Sequence, residues 1–177
     1  HASNVLGTIQ DAAAVGRMAR EHDVLFCLDA AQSAGIIPIS IERMCIDLLA
    51  LPGHKALLGP TGTGALYVGA RCPEPATHET GLLDNKIVQR RRLNPWREGG
   101  TGGDSATPTQ PPLYPHYLEG GTPNTVGIAG LAAALDYVAK RPMQDRLDHE
   151  RAMCHRIIDR FASDPRITFY GSTDATR

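Results

Sequence analysis

The sequence predicts an α/β protein built on an open, mostly parallel sheet. Two short apolar runs, residues 24–28 and 46–51, have the composition of strands that are buried on both faces. Apolar residues at helical spacing precede the first run, and polar residues follow both. Because ligands of open α/β sheets collect beyond the carboxyl ends of the strands, the residues that follow these runs are the first candidates for a functional site.

Each element has its own signal. Thr8 and Asp11 have the spacing of a capping box, which predicts a helix over residues 8–22. Pro142 interrupts an apolar helical pattern and marks a candidate domain boundary. The other predicted elements are a strand at 65–68, helices at about 126–140 and 143–163, and a strand starting at 167–170.

Composition favours small-molecule chemistry over nucleic-acid or membrane binding. The 177 residues have a formal net charge of -1, and no apolar run approaches the roughly 20 residues that cross a bilayer. The basic run at 89–92 is interpreted as a solvated face. The four cysteines form no CxxC pair, which predicts neither a zinc site nor a disulfide framework and favours a cytoplasmic protein. Because the chain opens on His1 within motif-like sequence, it is expected to be a fragment.

Lys55 is the first candidate for chemistry. It follows Gly53 and His54 just beyond the second strand and precedes a glycine-rich turn, which places its amine in a crowded loop. A lysine amine attacks an aldehyde only in its neutral form, and partial desolvation favours that form. The alternative interpretation is an ordinary surface lysine.

Asp29 closes the first apolar strand. An ionised carboxylate at that position is costly unless a cation meets it, and a protonated pyridine nitrogen is such a cation. A lysine and an aspartate in these roles fit pyridoxal 5'-phosphate (PLP), whose ring withdraws electrons from a substrate α-carbon. The alternative is a structural carboxylate or helix cap at the turn.

Three further polar residues have both a functional and a structural interpretation. Gln32 and Asn4 could bind the cofactor or be ordinary loop residues, and His54 could bind phosphate or be part of a turn. The glycine-rich turn at 59–64 is not a phosphate-binding P-loop, because Ala65 stands where that motif requires lysine.

Five blocks together resemble the cysteine desulfurase and selenocysteine lyase branch of the class V aminotransferases. They are His1-Ala-Ser-Asn4, Leu28-Asp-Ala-Ala-Gln-Ser33, Pro52-Gly-His-Lys55, Gly59-Pro-Thr-Gly-Thr-Gly64 and Glu119-Gly-Gly-Thr-Pro-Asn124. The resemblance covers nearly the whole chain. It implies a fold-type-I PLP-dependent transferase, with the C-terminal half of the large parallel-sheet domain in residues 1–141 and the start of a truncated small C-terminal domain in residues 142–177.

The resemblance also implies site roles. Lys55 is the Schiff-base lysine, Asp29 pairs with the pyridine nitrogen, Gln32 meets the 3-hydroxyl oxygen, His54 contacts the phosphate, Asn4 lies by the ring and the substrate carboxylate, and Thr122 reaches the phosphate in the other subunit of a homodimer. Pro52 departs from the pattern, because relatives with serine or threonine there have a hydroxyl donor for the phosphate.

The implied reaction converts cysteine to alanine and leaves a persulfide on an enzyme cysteine, with a sulfur-acceptor protein as a possible partner. The nucleophilic cysteine and the arginine for the substrate carboxylate are expected outside this chain. Cys27 and Cys154 are expected to be buried by packing, Cys45 to lie at the wrong strand end, and Cys72 to be the one exception within reach. The alternatives are a selenocysteine lyase, an epimerase, a kynureninase-like enzyme and a non-catalytic PLP-fold subunit.

Overall fold

The structure is a computed structural model that describes residues 1–75, 93–100 and 109–174. Within these ranges the elements are α1 (Ala12–Glu21), β1 (Cys27–Asp29), β2 (Leu48–Pro52), β3 (Gly64–Val68), α2 (Thr125–Ala139) and α3 (Met143–Phe161). Two compact units are formed, one by His1–Tyr67 with Val126–Arg177 and the other by Val68–Thr125. The predicted α/β class is confirmed, and the basic run at 89–92 lies outside the described residues.

The sheet brings the ends of two predicted strands together. β1 and β2 pair in parallel, with Cys27 opposite Leu48 and Asp29 opposite Ala50. β3 lies on the other side of β2, in the order β1-β2-β3. The connection over residues 53–63 is too short for a crossover, so β3 folds directly back and the sheet is mixed.

One face of β1 is packed and the other is not. Leu28 is 5% exposed and belongs to a buried cluster with Ala12 and Ile46, against which partly buried side chains pack: Phe26, Ile39, Ile41, Met44 and Leu49. Cys27 and Asp29 point the other way and are exposed. The prediction that this strand is buried on both faces was therefore wrong, because helix α1 and the segment that leads into β2 cover only the Leu28 side.

Helix α1 begins later than the capping-box pattern predicts. Its N-cap is Asp11, whose carboxylate accepts a hydrogen bond from the Ala14 N–H at 2.9 Å. Thr8 is instead part of an extended segment, because its carbonyl accepts from the Ser3 N–H and the neighbouring Ile9 forms an antiparallel bridge with Ala2. Asp11 at the N-cap therefore accepts from one of the free N–H groups of the first helical turn, as Thr8 was expected to do in the capping box.

The two C-terminal helices match their predictions closely. α2 ends at Ala139, and α3 begins at Met143 with Pro142 at its N-cap. Residues 167–170 were predicted to start a strand, but no strand is formed there. Residues on both sides of Pro142 belong to the same compact unit, and the domain junction at 142 stays a prediction. None of the helices in the described ranges is long and apolar enough to span a bilayer.

Gly16 lets helix α1 approach the turn that contains Met44 closely. A Cβ built on Gly16 would lie 1.8 Å from the Met44 carbonyl oxygen, which is backbone and cannot move aside cheaply. Alanine normally stabilises a helix relative to glycine by about 1 kcal/mol. We expect Gly16→Ala to do the opposite and to destabilise the protein by about 1–3 kcal/mol through overpacking.

The measurement for Gly16→Ala is the thermal unfolding midpoint. Gly100→Ala is the matched control, because a Cβ added there meets no heavy atom of the described residues within 4 Å. An unfolding midpoint for Gly16→Ala at or above that of the control would contradict the close approach of α1 to Met44.

Candidate active site

A cavity of about 340 Å³ opens beyond the carboxyl end of β1. This volume lies within the roughly 300–1,000 Å³ that small-molecule sites occupy. Four of the six predicted site residues line it: Asn4, Asp29, Gln32 and Lys55. The remaining lining residues are His1, Ala2, Ser3 and Ala31. Positions that are far apart in the sequence are thus brought to one side of the sheet.

The turn after β1 sets the orientation of the Asp29 carboxylate. Its Oδ1 atom accepts a hydrogen bond from the Ala31 N–H at 2.8 Å. Within the described residues, no cationic side chain lies within ion-pairing distance of this carboxylate. Asp29 is exposed, so it needs no cation to offset burial. The carboxylate can therefore face a cationic ligand in the cavity, and Gln32 presents its amide from the same turn.

A second wall is formed by His1 to Asn4, which belong to residues 1–10, a segment that we term the Asn4 loop. The Ser3 hydroxyl accepts hydrogen bonds from the Val5 and Leu6 N–H groups at 3.3 and 3.1 Å. Gly7 closes the turn at φ +71°, a conformation that side chains rarely adopt. The loop is therefore folded back on itself and presents the exposed Asn4 side chain at its tip.

Lys55 lies in a tight turn after β2. The Gly53 N–H donates to the Thr63 carbonyl at 2.8 Å, and the Gly59 N–H donates to the Gly53 carbonyl at 2.7 Å. A Cβ on Gly53 would lie 2.2 Å from the Thr63 Oγ1 atom, so only glycine fits. These contacts hold the half-buried Lys55 at the cavity, as the crowded-loop argument predicted.

His54 and Thr122 are not part of this cavity. His54 is exposed and does not line it. Thr122 is exposed and belongs to the other compact unit, where it follows Gly121 at φ +90° and precedes helix α2. Pro52 is the last residue of β2, so the departure noted in the sequence falls where the chain enters the Lys55 turn.

Two residues that the sequence gave no role are paired beside the cavity. His1 lines it and places Nδ1 2.9 Å from the hydroxyl of Ser33, which is completely buried. Both belong to blocks of the resemblance, which was the one available signal. Their pairing across 32 residues was not predictable without the fold.

A second, slightly larger cavity of about 380 Å³ shows that size does not identify the site. It is lined by three apolar residues and five ionisable ones: Ile36, Ala56, Leu58, Arg141, Asp145, Arg146, His149 and Glu150. No lysine lines this second cavity, whereas Lys55 lines the first. Of these two cavities, only the first therefore has the amine that a PLP site requires.

The comparison with protein families decides the assignment. The model of the family "Aminotransferase class-V" matches residues 1–177, which is the whole chain. The chain belongs to the class V aminotransferases. Members of this family depend on PLP.

The relatives of this class V chain are cysteine desulfurases. A curated cysteine desulfurase of Escherichia coli is 32% identical over 177 residues, which are 98% of this chain and 39% of the relative. The solved cysteine desulfurase CsdA from Escherichia coli, in its S-sulfonic acid form, matches with a TM-score of 0.71 at 28% identity, over 98% of this chain and 40% of that one. The apo cysteine desulfurase from Thermococcus onnurineus NA1 matches with a TM-score of 0.67 at 27% identity, over 99% and 40%.

The fold is therefore that of the fold-type-I PLP enzymes, as predicted. The class V chain spans about 39% of the length of the curated relatives that it matches. Its first cavity fits PLP in its donor set, because one amine, one exposed carboxylate and two amides face a volume suited to a small ring.

Proposed function

We propose that the whole protein is a PLP-dependent cysteine desulfurase, which converts cysteine to alanine and leaves the sulfur on an enzyme cysteine as a persulfide. The C–S bond of the substrate breaks and an S–S bond forms to the enzyme cysteine. The electron pair of the C–S bond stays with the β-carbon, which takes up a proton to become the methyl group of alanine, so no external oxidant is needed. The observation that carries the proposal is the convergence of Asn4, Asp29, Gln32 and Lys55 on one cavity, in a chain whose relatives are cysteine desulfurases.

Lys55 and Asp29 have the central roles in this proposal. Lys55 would hold the cofactor covalently through its Nζ atom, and the same amine, when free, would move a proton at the substrate α-carbon. Asp29 holds the proton on the pyridine nitrogen through its carboxylate. The bound cofactor supplies an electron-withdrawing ring, which stabilises negative charge at the α-carbon.

The other predicted residues bind and orient. Gln32 donates to the 3-hydroxyl oxygen, and Asn4 lies by the ring and the substrate carboxylate. His54 contacts the phosphate, and Thr122 reaches the phosphate bound in the other subunit of a homodimer. Pro52 contributes no N–H and no hydroxyl, so phosphate binding depends on these other groups.

The substrate is a small amino acid, and a sulfur-acceptor protein takes the persulfide sulfur. We also propose that the protein works in the cytoplasm, since the four cysteines show no disulfide or zinc pattern. The small C-terminal domain would start at residue 142 and continue beyond residue 177 in the whole protein.

The experiment that tests this function is a product assay on the purified whole protein with PLP. We expect alanine to form from cysteine and the persulfide to be trapped by an alkylating reagent. Selenium release from selenocysteine with inert cysteine would favour the selenocysteine lyase, and racemised amino acid without alanine would favour the epimerase. Cleavage of kynurenine would favour the kynureninase-like reaction, and the absence of every reaction would favour a non-catalytic subunit.

A separate prediction concerns the cysteines of this chain. Cys27 and Cys154 were expected to be buried, and both expectations were wrong, because both side chains are exposed. Cys72 is buried and Cys45 is half-buried. Exposure alone does not make a nucleophile: partial desolvation, followed by the Asp29 carboxylate, raises the pKa of the Cys27 thiol and disfavours its thiolate.

We therefore expect the double variant Cys27→Ser, Cys154→Ser to form alanine within about twofold of the wild-type rate, as surface substitutions do. The measurement is the initial rate at saturating cysteine with PLP bound. A loss of persulfide in this variant, traced to either single substitution, would place the nucleophile inside the chain.

A further inference from the structure

The Asn4 loop and the turn after β1 form two walls of the Lys55 cavity. Asn4 and Ser3 line it from the loop, whereas Asp29 and Gln32 line it from the turn. The distance between these walls determines whether groups on both sides contact one bound molecule. A contact that fixes this distance would therefore position the site without touching the reacting atoms.

Both contacts between these walls come from His1. Its amino group, the first nitrogen of the chain, donates to the Asp29 carbonyl at 2.8 Å, and its Nδ1 lies 2.9 Å from the Ser33 hydroxyl. Within the described part of the chain, these are the only hydrogen bonds between residues 1–10 and 29–33. Ser33 is completely buried, so losing this partner leaves a buried hydroxyl without the side-chain hydrogen bond that the structure gives it.

Hydrogen bonds within the Asn4 loop couple its position to that of His1. The Gln10 N–H donates to the His1 carbonyl at 2.8 Å, and Ala2 is bridged to Ile9. Two N–H groups at the tip are held by the Ser3 hydroxyl. Movement at His1 is thus transmitted to Asn4 and is not absorbed by a flexible segment.

We infer that the His1–Ser33 hydrogen bond is a positioning contact that sets where Asn4 stands relative to Asp29 and Gln32. His1 is a positioning residue and not a catalytic one. The inference rests on the proposed function only in naming the substrate carboxylate as the group that Asn4 meets. The positioning itself is a property of the two walls and holds for any amino acid bound there.

The test compares two amide substitutions of His1 in the whole protein. Asparagine branches at Cγ and places an amide atom where histidine has Nδ1, whereas glutamine carries its amide further out, near the position of Nε2. Asparagine can therefore keep the contact with Ser33, and glutamine cannot. The two variants share size class, charge and backbone contacts.

We expect His1→Gln to raise KM for the amino-acid substrate by about tenfold, the loss expected for one hydrogen bond to a buried hydroxyl. Its kcat should stay within about threefold of wild type, because Lys55 and Asp29 are untouched. His1→Asn should restore KM to within about threefold. Amide hydrogen exchange at Val5, Leu6 and Gln10 should be faster in His1→Gln and near wild type in His1→Asn.

Equal behaviour of the two variants in KM and in exchange would overturn the inference, and so would a loss confined to kcat. If the wild-type protein forms no alanine from cysteine, the proposed function fails while hydrogen exchange still decides the positioning role. A thermal midpoint within a few degrees of wild type for both variants shows that the comparison concerns folded protein.

Discussion

Lys55→Ala is expected to abolish both turnover and covalent attachment of PLP. The whole wild-type protein should be yellow, and borohydride should fix one PLP to the peptide that contains Lys55. Under the proposed roles, the variant loses both the amine that holds the cofactor and the base that moves the α-proton. Removing a general acid–base group alone costs roughly 10²–10⁴-fold in rate, and the loss of attachment adds to it.

Lys140→Ala is the matched control for this prediction. Lys140 is exposed just after helix α2 and does not line the Lys55 cavity. This variant should retain colour, attachment and rate. A borohydride-stable bond to PLP in Lys55→Ala would show that another lysine holds the cofactor.

The gathering of the predicted residues at one cavity could be anticipated because Asp29 and Lys55 follow strand ends. Asp29 and Lys55 come after separate apolar runs, and parallel pairing of β1 with β2 brings those ends to the same edge of the sheet. Gln32 lies in the same turn as Asp29, so the turn that brings Asp29 to the cavity brings Gln32 there too. Asn4 was predictable only from its block in the resemblance, because no local pattern carries it to the cavity.

The missed features depend on contacts that no local pattern encodes. The exposure of Cys27 depends on which face of β1 is covered, and a continuous apolar run does not distinguish one covered face from two. The extended strand predicted at 167–170 had an apolar, β-prone composition, but no strand pairs with it in the described residues. The His1–Ser33 contact joins residues of two separate blocks, and only the fold brings them together.

Asp29→Asn is expected to separate catalysis from cofactor binding. Asparagine keeps an oxygen that can accept from the Ala31 N–H, which Asp29 binds at 2.8 Å, so the turn and the cavity should keep their shape. What is lost is the negative charge that, in the proposed role of Asp29, holds a proton on the pyridine nitrogen. The ring then withdraws electrons less strongly, and charge at the substrate α-carbon is less well stabilised.

The two effects of Asp29→Asn differ in size for a physical reason. Under the proposed roles PLP keeps its covalent bond to Lys55 and its phosphate contacts in Asp29→Asn, so PLP affinity should fall by less than about tenfold. Turnover depends on the charge in the transition state, where the loss of one electrostatic contact costs roughly 10²–10³-fold.

The measurement for Asp29→Asn is kcat at saturating PLP together with the PLP dissociation constant. Asp11→Asn is the matched control, because the Asp11 carboxylate also accepts from a backbone N–H, that of Ala14, and asparagine caps a helix equally well. Wild-type turnover in PLP-saturated Asp29→Asn would show that Asp29 does not pair with the pyridine nitrogen. Equal losses of affinity and turnover would mean that Asp29 contributes to binding alone.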